Sequence, residues 1–151
     1  IQAVDSTNGG VALIIGSDTI VDLDGHIMEK PTDEEVAHSM LSSLSGKWHQ
    51  VHTGVAVYAV GASTSSSDDE PRLMFSFTDT ARVKFSTLTD KDIKAYIGTQ
   101  EPFDKAGSYG IQGIGGQLVE RIEGDFFTVM GLPMHRLSRE LTDALKKLNL
   151  Q

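Results

Sequence analysis

Runs of apolar and β-branched residues alternate along the chain with segments of helical periodicity, a pattern that predicts an α/β fold. Residues 11–15 form a continuous apolar run, typical of a central strand buried on both faces. Such a strand would bring residues 16–19 to its C-terminal end, where α/β sheets tend to place ligands. Two long strands are predicted over residues 48–60 and 72–86, and a shorter one over residues 117–123.

Two turns are predicted between these strands. An Asp-Gly pair at residues 24–25 lies between apolar positions, which is a strong hairpin signal. The return strand would bring Glu29 and Lys30 back near Asp18. Residues 61–71 are too polar to pack, so we expect the tip of a second hairpin there.

Three helices are predicted from capping residues and from apolar spacing. Thr32 is the expected N-cap of the first helix, with Glu35 at the third helical position, and Gly46 closes that helix. Thr89 caps a shorter second helix, and the last helix follows Pro133. The residues expected to face the core are Val36, Ala37, Met40, Leu41 and Leu44 of the first helix and Leu137, Leu141, Ala144, Leu145 and Leu148 of the last.

Length and composition limit the class of protein. A chain of 151 residues fits one domain, and the absence of cysteine excludes a disulfide framework and a thiolate nucleophile. No apolar run approaches the roughly 20 residues needed to span a bilayer, so we expect a soluble cytoplasmic protein. The net charge of -8 makes duplex nucleic acid an improbable partner. An acidic protein still approaches a triphosphate if a divalent cation lies between them.

The segment over residues 101–116 contains most of the candidate chemistry. It combines two carboxylates, a lysine and an amide side chain with five glycines. Glycines let backbone N–H groups approach an anion closely, and the lysine adds a point charge, so the composition is that of a phosphate-handling loop. A plain glycine-rich turn is the alternative. Neither the P-loop pattern nor the dinucleotide-binding glycine spacing occurs here.

Further motifs change this picture. They are Gly16-Ser17-Asp18-Thr19-Ile20-Val21, Glu29-Lys30-Pro31, residues 44–55, residues 101–116 and residues 129–133. Together, in order and correctly spaced, they resemble the Maf family of nucleoside triphosphate pyrophosphatases. The resemblance implies a mixed, twisted sheet with long antiparallel strands and flanking helices, as in the inosine triphosphatase-like folds. It also implies one Maf-like domain over residues 1–151, without the family's N-terminal strand and helix and their arginine-containing phosphate-binding turn. A homodimer is expected by analogy.

The resemblance also implies roles for individual residues. Asp18 matches the proton acceptor, and its alternative is an Asx-turn residue. Lys30 and Lys105 are candidate catalytic residues that steady phosphate oxygens, although each could form an ion pair with the acid before it. The expected ligands of Mg²⁺ or Mn²⁺ are Glu29, Glu101 and Asp104, all hard oxygen donors. Each of these carboxylates could instead be solvated or ion-paired.

Substrate choice is expected to depend on Thr19 and Gln112, which match the family's positions for nucleobase selection, and Gly107 is a further candidate substrate-binding residue. An amide and a hydroxyl can satisfy the O4 and N3–H edge of uracil or thymine. The chain therefore resembles the dTTP and UTP branch of the family. The alternatives are strand propensity for Thr19 and a loop hydrogen bond for Gln112. His49 and His52 are not expected to share a metal, because residues three apart in a strand face opposite sides.

The function expected from these motifs is metal-dependent hydrolysis of dTTP, UTP or modified pyrimidine nucleotides to the monophosphate and diphosphate. The resemblance implies a house-cleaning role and a link to septum formation and the arrest of cell division. Two alternatives remain open at this point. One is a nucleotide-binding or regulatory module without turnover, and the other is a pyrophosphatase selective for inosine or xanthosine triphosphate.

Overall fold

A computed structural model describes residues 12–61 and 70–147 of the chain. Its strands are β1 (Ala12–Leu23), β2 (His26–Met28), β3 (Trp48–Val60), β4 (Arg72–Phe85) and β5 (Val119–Glu123). Its helices are α1 (Glu34–Leu44), α2 (Asp90–Ile97), α3 (Phe126–Met130) and α4 (Met134–Lys147), with 3₁₀ turns at Glu101–Asp104, Ala106–Ser108 and Ile114–Leu118. Most of the polar tip expected at 61–71, together with residue 11 and Leu148, lies outside the described residues.

The strands form one five-stranded sheet in the order β2-β1-β3-β4-β5. β1 pairs antiparallel with β2, and β4 pairs antiparallel with β5. The predicted Asp-Gly hairpin is confirmed, since Asp24 and Gly25 have φ angles of 54° and 86°, and the Gly25 amide donates to Asp22 Oδ1 over 2.7 Å. Two positive φ angles in succession are typical of the turn that best matches strand twist. The α/β fold with long strands and flanking helices is confirmed.

The first strand is longer and more exposed than its sequence predicts. We expected it to end near residue 15 and to be buried on both faces, but β1 continues to Leu23. Ile14 and Ile15 are 36% and 39% exposed. The β-branched residues 19–21 prolong the strand beyond the glycine and serine at which it was expected to stop. Asp18 therefore lies within a paired strand and not at the C-terminal end of one.

The described residues divide into two compact units. The first contains residues up to 18, residues 54–78 and residues from 134 onward, and the second contains residues 19–53 and 79–133. β1, β3 and β4 contribute residues to both units.

The second unit contains the main hydrophobic core. Helix α1 buries Ala37, Leu41 and Leu44, as its apolar spacing predicts. Other core residues come from the strands, from α2 and from the glycine-rich segment, and they include Val21, Val51, Val83, Phe85, Ile93, Tyr96, Ile97, Tyr109 and Leu118. The segment over residues 101–116 is thus anchored from beneath by apolar packing.

Helix ends agree with the sequence except at one cap. Asp33, not Thr32, is the N-cap of α1, because its carboxylate accepts the Val36 amide over 2.8 Å while the Thr32 hydroxyl donates to the same carboxylate. A carboxylate is the stronger acceptor at the positive end of a helix. Gly46 follows the helix with φ of 66°, as expected. The predicted cap at Thr89 is confirmed, and it forms a capping box with Asp92 in which both hydrogen bonds are present.

Two elements near the C-terminus differ from prediction. Residues 117 and 118 belong to a 3₁₀ turn, so β5 begins at Val119 and not at residue 117. Helix α3 was not predicted, because five residues are too few to show a periodicity; Asp125 caps it and Gly131 ends it with φ of 102°. Helix α4 follows Pro133 as expected, and its Leu137 is buried.

His49 lies in the core of the second unit. It is 3% exposed, and it packs edge-to-face against Phe85 and Tyr109 with ring centroids 5.1 and 5.5 Å away. Its Nε2 lies 2.8 Å from the Tyr109 hydroxyl, while its Nδ1 is buried with no hydrogen-bond partner among the described residues. Burial lowers the pKa of His49 from 6.5 to about 4, so the ring is neutral at pH 7.

We expect stability to fall below pH 6.5 because of His49. Its pKa is lower in the folded state than in the unfolded state, so the unfolded chain takes up a proton first as the pH falls. The free energy of unfolding should decrease by about 1.4 kcal/mol per pH unit from about pH 6 toward pH 4. Urea unfolding at several pH values measures this loss. The variant His49→Gln should show a flatter profile over that interval than His52→Gln, and equal slopes in both variants would contradict the assignment.

Candidate functional site

The glycine-rich segment folds around a carboxylate of the protein itself. Glu101 Oε2 accepts the Ile114 amide over 2.8 Å, and Oε1 accepts the Gly115 amide over 3.0 Å. The Tyr96 hydroxyl donates to Oε1 over 2.9 Å and accepts the Gly110 amide over 3.1 Å. From the sequence, backbone N–H groups of this segment were expected to bind an external anion such as a phosphate. Those of Ile114 and Gly115 instead bind the carboxylate of Glu101.

This environment also sets the charge of Glu101. Partial burial on its own would raise the pKa of the carboxyl group, but the Gly115 and Ile114 amides, the Tyr96 hydroxyl and the Lys105 charge together lower it. Burial and the nearby Glu101 carboxylate raise the pKa of Tyr96 well above its ordinary value. Tyr96 is consequently a neutral donor and Glu101 a charged acceptor at neutral pH.

Several glycines are required by these close contacts. A Cβ on Gly113 would collide with the Glu101 carboxylate, and one on Gly115 would collide with the Tyr96 hydroxyl. A Cβ on Gly116 would lie 2.6 Å from the carbonyl oxygen of Ile111. The glycine content of this segment is thus explained by packing of the backbone against its own side chains and carbonyls.

Gly107 serves a packing role beneath the segment. It is buried with φ of 67°, its amide donates to the Glu29 carbonyl over 3.1 Å, and a Cβ there would lie 2.8 Å from a methyl group of Val21. Through this hydrogen bond the end of β2 and the glycine-rich segment are joined. Glu29 and Lys30 themselves are exposed.

The acidic and basic side chains of the segment form a surface ion pair. Lys105 Nζ lies 2.5 Å from Asp104 Oδ1, and the two side chains are 38% and 74% exposed. The hydrogen bond from Lys105 is the main cause that lowers the pKa of Asp104, and the charges of Lys105 and Lys30 add to it. Lys30 is therefore close enough to act electrostatically on the same carboxylate. Exposed pairs of this kind are weak, about 1 kcal/mol or less, and exchange partners readily.

Thr19 and Gln112 have contrasting surroundings. Gln112 is exposed in the turn between two 3₁₀ elements. Thr19 Oγ1 lies 2.8 Å from Thr53 Oγ1, and the Thr53 hydroxyl donates to the Thr128 carbonyl over 2.7 Å. Because Thr53 has one hydroxyl proton and uses it on that carbonyl, Thr19 must donate to Thr53. The Thr19 hydroxyl proton is thus directed into the second unit, toward Thr53.

Asp18 lies in the first unit, on the wall of an open groove of about 610 Å³. The groove is also lined by Ser17, Ser76, Phe77 and Thr78, and the Ser17 hydroxyl donates to the Gly54 carbonyl over 3.2 Å. Asp18 is exposed to this groove and is not part of a tight turn, so its predicted alternative as an Asx-turn residue is wrong.

Three residues near these features were missed from the sequence. Tyr96 reads as a core residue of α2, and Thr53 reads as an ordinary strand residue. Arg136 on α4 donates to the Thr78 carbonyl over 2.8 Å and stacks over Phe77 at 4.5 Å, which puts a cation beside residues that line the groove of the first unit. The inward position of Thr53 could be read from the alternation of β3. The partners of Arg136 are distant in sequence, and the spacing of five residues from Tyr96 to Glu101 matches neither a helical nor a strand period.

The described residues contain no group of three or more His, Asp or Glu side chains that could hold a metal ion. His49 and His52 have different partners, since His52 Nδ1 lies 2.8 Å from the Thr80 hydroxyl and its Nε2 lies 3.9 Å from Asp22. No helix in the described part of the chain is long and apolar enough to cross a membrane.

Comparison with known proteins defines the class. The sequence model of the family described as Maf-like protein matches residues 1–144. The chain belongs to this family, and the resemblance drawn from its motifs is confirmed.

The names of individual relatives are more specific than the description of the family. The chain is 46% identical to the dTTP/UTP pyrophosphatase of Carboxydothermus hydrogenoformans, over 87% of this chain and 66% of that protein. It is 45% identical to proteins of the same name from Aquifex aeolicus, over 92% of this chain and 65% of the relative, and from Clostridium novyi, over 87% and 64%. The chain thus spans just under two thirds of the length of the curated relatives it matches.

We expect Gly107→Ala to be strongly destabilising, because Gly107 packs against Val21 with a positive φ. Left-handed strain and overpacking together should lower the free energy of unfolding by at least about 2 kcal/mol. The matched control is Gly16→Ala, where a Cβ would meet nothing within 4 Å. Chemical denaturation of both variants measures the difference. Equal stabilities would mean that Gly107 has no packing role and would leave only its predicted contact with substrate.

Proposed function

We propose that this chain carries out metal-dependent hydrolysis of dTTP, UTP or modified pyrimidine nucleoside triphosphates to the monophosphate and diphosphate. The observation that carries the proposal is the 45–46% identity, across most of the chain, to relatives named dTTP/UTP pyrophosphatase. The glycine-rich segment with its acidic and basic side chains supports it, because cleavage of a triphosphate requires charge neutralisation and a base for water.

Asp18 is the proposed general base. In the reaction a water oxygen bonds to the α-phosphorus, the bond from that phosphorus to the bridging oxygen breaks, and diphosphate leaves. The proton of the attacking water passes to the Asp18 carboxylate. Exposure of Asp18 to an open groove supports this role, since both water and substrate can reach it.

Lys105 and Lys30 are proposed to stabilise the charge on the phosphate oxygens. Lys105 already has a partner in Asp104, but a surface ion pair is weak enough to open when a more highly charged triphosphate arrives. Lys30 follows β2 and is exposed. Both are primary ammonium groups on flexible stems, suited to following phosphate oxygens as the charge moves toward the leaving group.

The carboxylates suit a cation that arrives with the nucleotide better than a resident one. The described residues form no cluster of three ligands, but Mg²⁺ commonly uses one or two carboxylates together with substrate phosphates. Glu29 and Asp104 are exposed hard donors, whereas Glu101, the third ligand expected from the sequence, already accepts three hydrogen bonds. When bound, Mg²⁺ or Mn²⁺ neutralises phosphate charge and helps to orient the triphosphate.

Base selection is proposed to depend on Thr19 and Gln112. The Thr19 hydroxyl is proposed to recognise the N3–H edge of uracil or thymine, as the family's position for nucleobase selection implies. The Gln112 amide can donate to O4 of the same base. Cytosine presents an acceptor at N3 and an amino group at position 4, so it would leave polar groups unpaired. Gly107 is proposed to contribute to substrate binding by shaping the loop that carries Gln112.

A homodimer and a cytoplasmic location are also proposed, the first by analogy with the family. Sedimentation analysis of the purified protein tests the dimer directly, and a monomeric profile at micromolar concentration would contradict it.

The activity is tested by measuring diphosphate release with the complete open reading frame that encodes this chain. We expect turnover of dTTP and UTP in the presence of Mg²⁺ or Mn²⁺, and much less turnover of CTP. Nucleotide-induced melting shifts without hydrolysis would favour a binding module instead. Faster hydrolysis of inosine or xanthosine triphosphate would favour the purine-selective alternative.

The role of Asp18 is tested by Asp18→Asn, which keeps the shape of the side chain but removes the base. We expect kcat to fall by a factor on the order of 10² to 10⁴ while the melting temperature changes little. Asp24→Asn, the same change in the turn between β1 and β2, is the control and should retain activity. Comparable kcat values for the two variants would rule out Asp18 as the base.

A further inference from the structure

The segment between Gly110 and Gly115 is held at both ends by one pair of side chains. At the C-terminal end of the segment, Glu101 accepts hydrogen bonds from the amides of Ile114 and Gly115. At the N-terminal end of the segment, the Tyr96 hydroxyl accepts a hydrogen bond from the amide of Gly110. The same hydroxyl donates to Glu101, so the two anchor points are one connected network.

Gln112 lies at the exposed tip of the segment that this network encloses. A side chain that reads a base must be held in position, because a loop that samples many conformations loses discrimination. Within residues 12–61 and 70–147, no other side chain bonds to the backbone amides of residues 110–115. Together with the backbone hydrogen bond from Gly113 to Gly110, Glu101 and Tyr96 hold the loop on which Gln112 lies.

The carboxylate is already heavily used. Its two oxygens accept three hydrogen bonds, two of them from backbone amides, and the carboxylate packs so closely against Gly113 that a Cβ there would collide with it. Binding a cation through these oxygens would require some of those donors to give way. By contrast, Asp104 is 74% exposed and its known side-chain partner is the flexible Lys105, and Glu29 is exposed.

We propose that Glu101 and Tyr96 are positioning residues that fix the Gln112 loop for base selection, and that Glu101 does not serve as a metal ligand. This inference rests on the proposed function, because it assigns Gln112 to the nucleobase. From the sequence, Glu101 and Asp104 have the same expected role as metal ligands, and the inference assigns them different roles. Glu101 fixes the shape of the loop, and Asp104 can bind the cation that accompanies the phosphates.

The test compares Glu101→Gln and Tyr96→Phe with Asp104→Asn. Glu101→Gln turns one acceptor into a donor that faces a backbone N–H, and Tyr96→Phe removes the hydroxyl but keeps the ring in the core. Hydrogen exchange of the free protein should accelerate about tenfold or more at Gly110, Ile114 and Gly115 in both variants. Asp104→Asn should leave these amides unchanged.

Kinetics provide the second readout. In Glu101→Gln and Tyr96→Phe we expect KM for UTP to rise and the UTP-to-CTP ratio of kcat/KM to fall about tenfold, while kcat changes less than KM. The Mg²⁺ concentration that gives half-maximal rate should stay within about twofold of wild type. A tenfold rise in that concentration for Glu101→Gln, with base preference unchanged, would make Glu101 a metal ligand and overturn the proposal.

The two arms separate failure of this inference from failure of the proposed function. If no nucleotide is hydrolysed, the proposed function fails, and hydrogen exchange still decides whether Glu101 and Tyr96 hold the loop; base preference is then read from melting shifts with UTP and CTP. Unchanged exchange at all three amides in both variants would overturn the inference. If Glu101→Gln does not fold, Tyr96→Phe still decides whether the network holds the loop. This variant keeps the aromatic ring and removes only the hydroxyl that bonds to Glu101 and to the Gly110 amide.

Discussion

A single carboxylate organises the segment on which the candidate chemistry depends. Glu101 is half-buried, and burial alone would disfavour its charge, but two backbone amides and a tyrosine hydroxyl compensate. The arrangement uses the same donors that bind phosphate in other proteins, and here the anion belongs to the chain itself. The loop consequently has its shape before any substrate binds, and its glycines are required by that shape.

The sequence predicts local features well, because the chemistry behind them is local. The Asp-Gly turn at 24–25, the cap at Thr89 and the glycine after α1 each depend on residues a few positions apart, and all are confirmed. The failures have the same origin. Thr32 and Asp33 are both good caps, and only geometry decides between them. The length of β1 was underestimated because a glycine and a serine suggest an end that neighbouring strands override.

The candidate site could be predicted only in part. The motifs identified the family and drew attention to residues 101–116, but composition could not tell whether the amides of that segment would bind a substrate or a side chain. Tyr96 comes five residues before Glu101, and a spacing of five residues does not predict a hydrogen bond between two side chains. The orientation of the Thr19 hydroxyl likewise depends on Thr128, more than a hundred residues away in the chain.

Asp18 lies inside a paired strand, so its backbone belongs to the sheet, whereas Gln112 lies on a loop whose amides at Gly110, Ile114 and Gly115 bond to side chains. Substitutions around Tyr96 and Glu101 can therefore reshape the loop while the strand that bears Asp18 keeps its geometry. With the roles proposed above for Asp18 and Gln112, divergence in such a scaffold has a natural direction: substrate range changes through the loop and its supports, and the reaction is inherited unchanged.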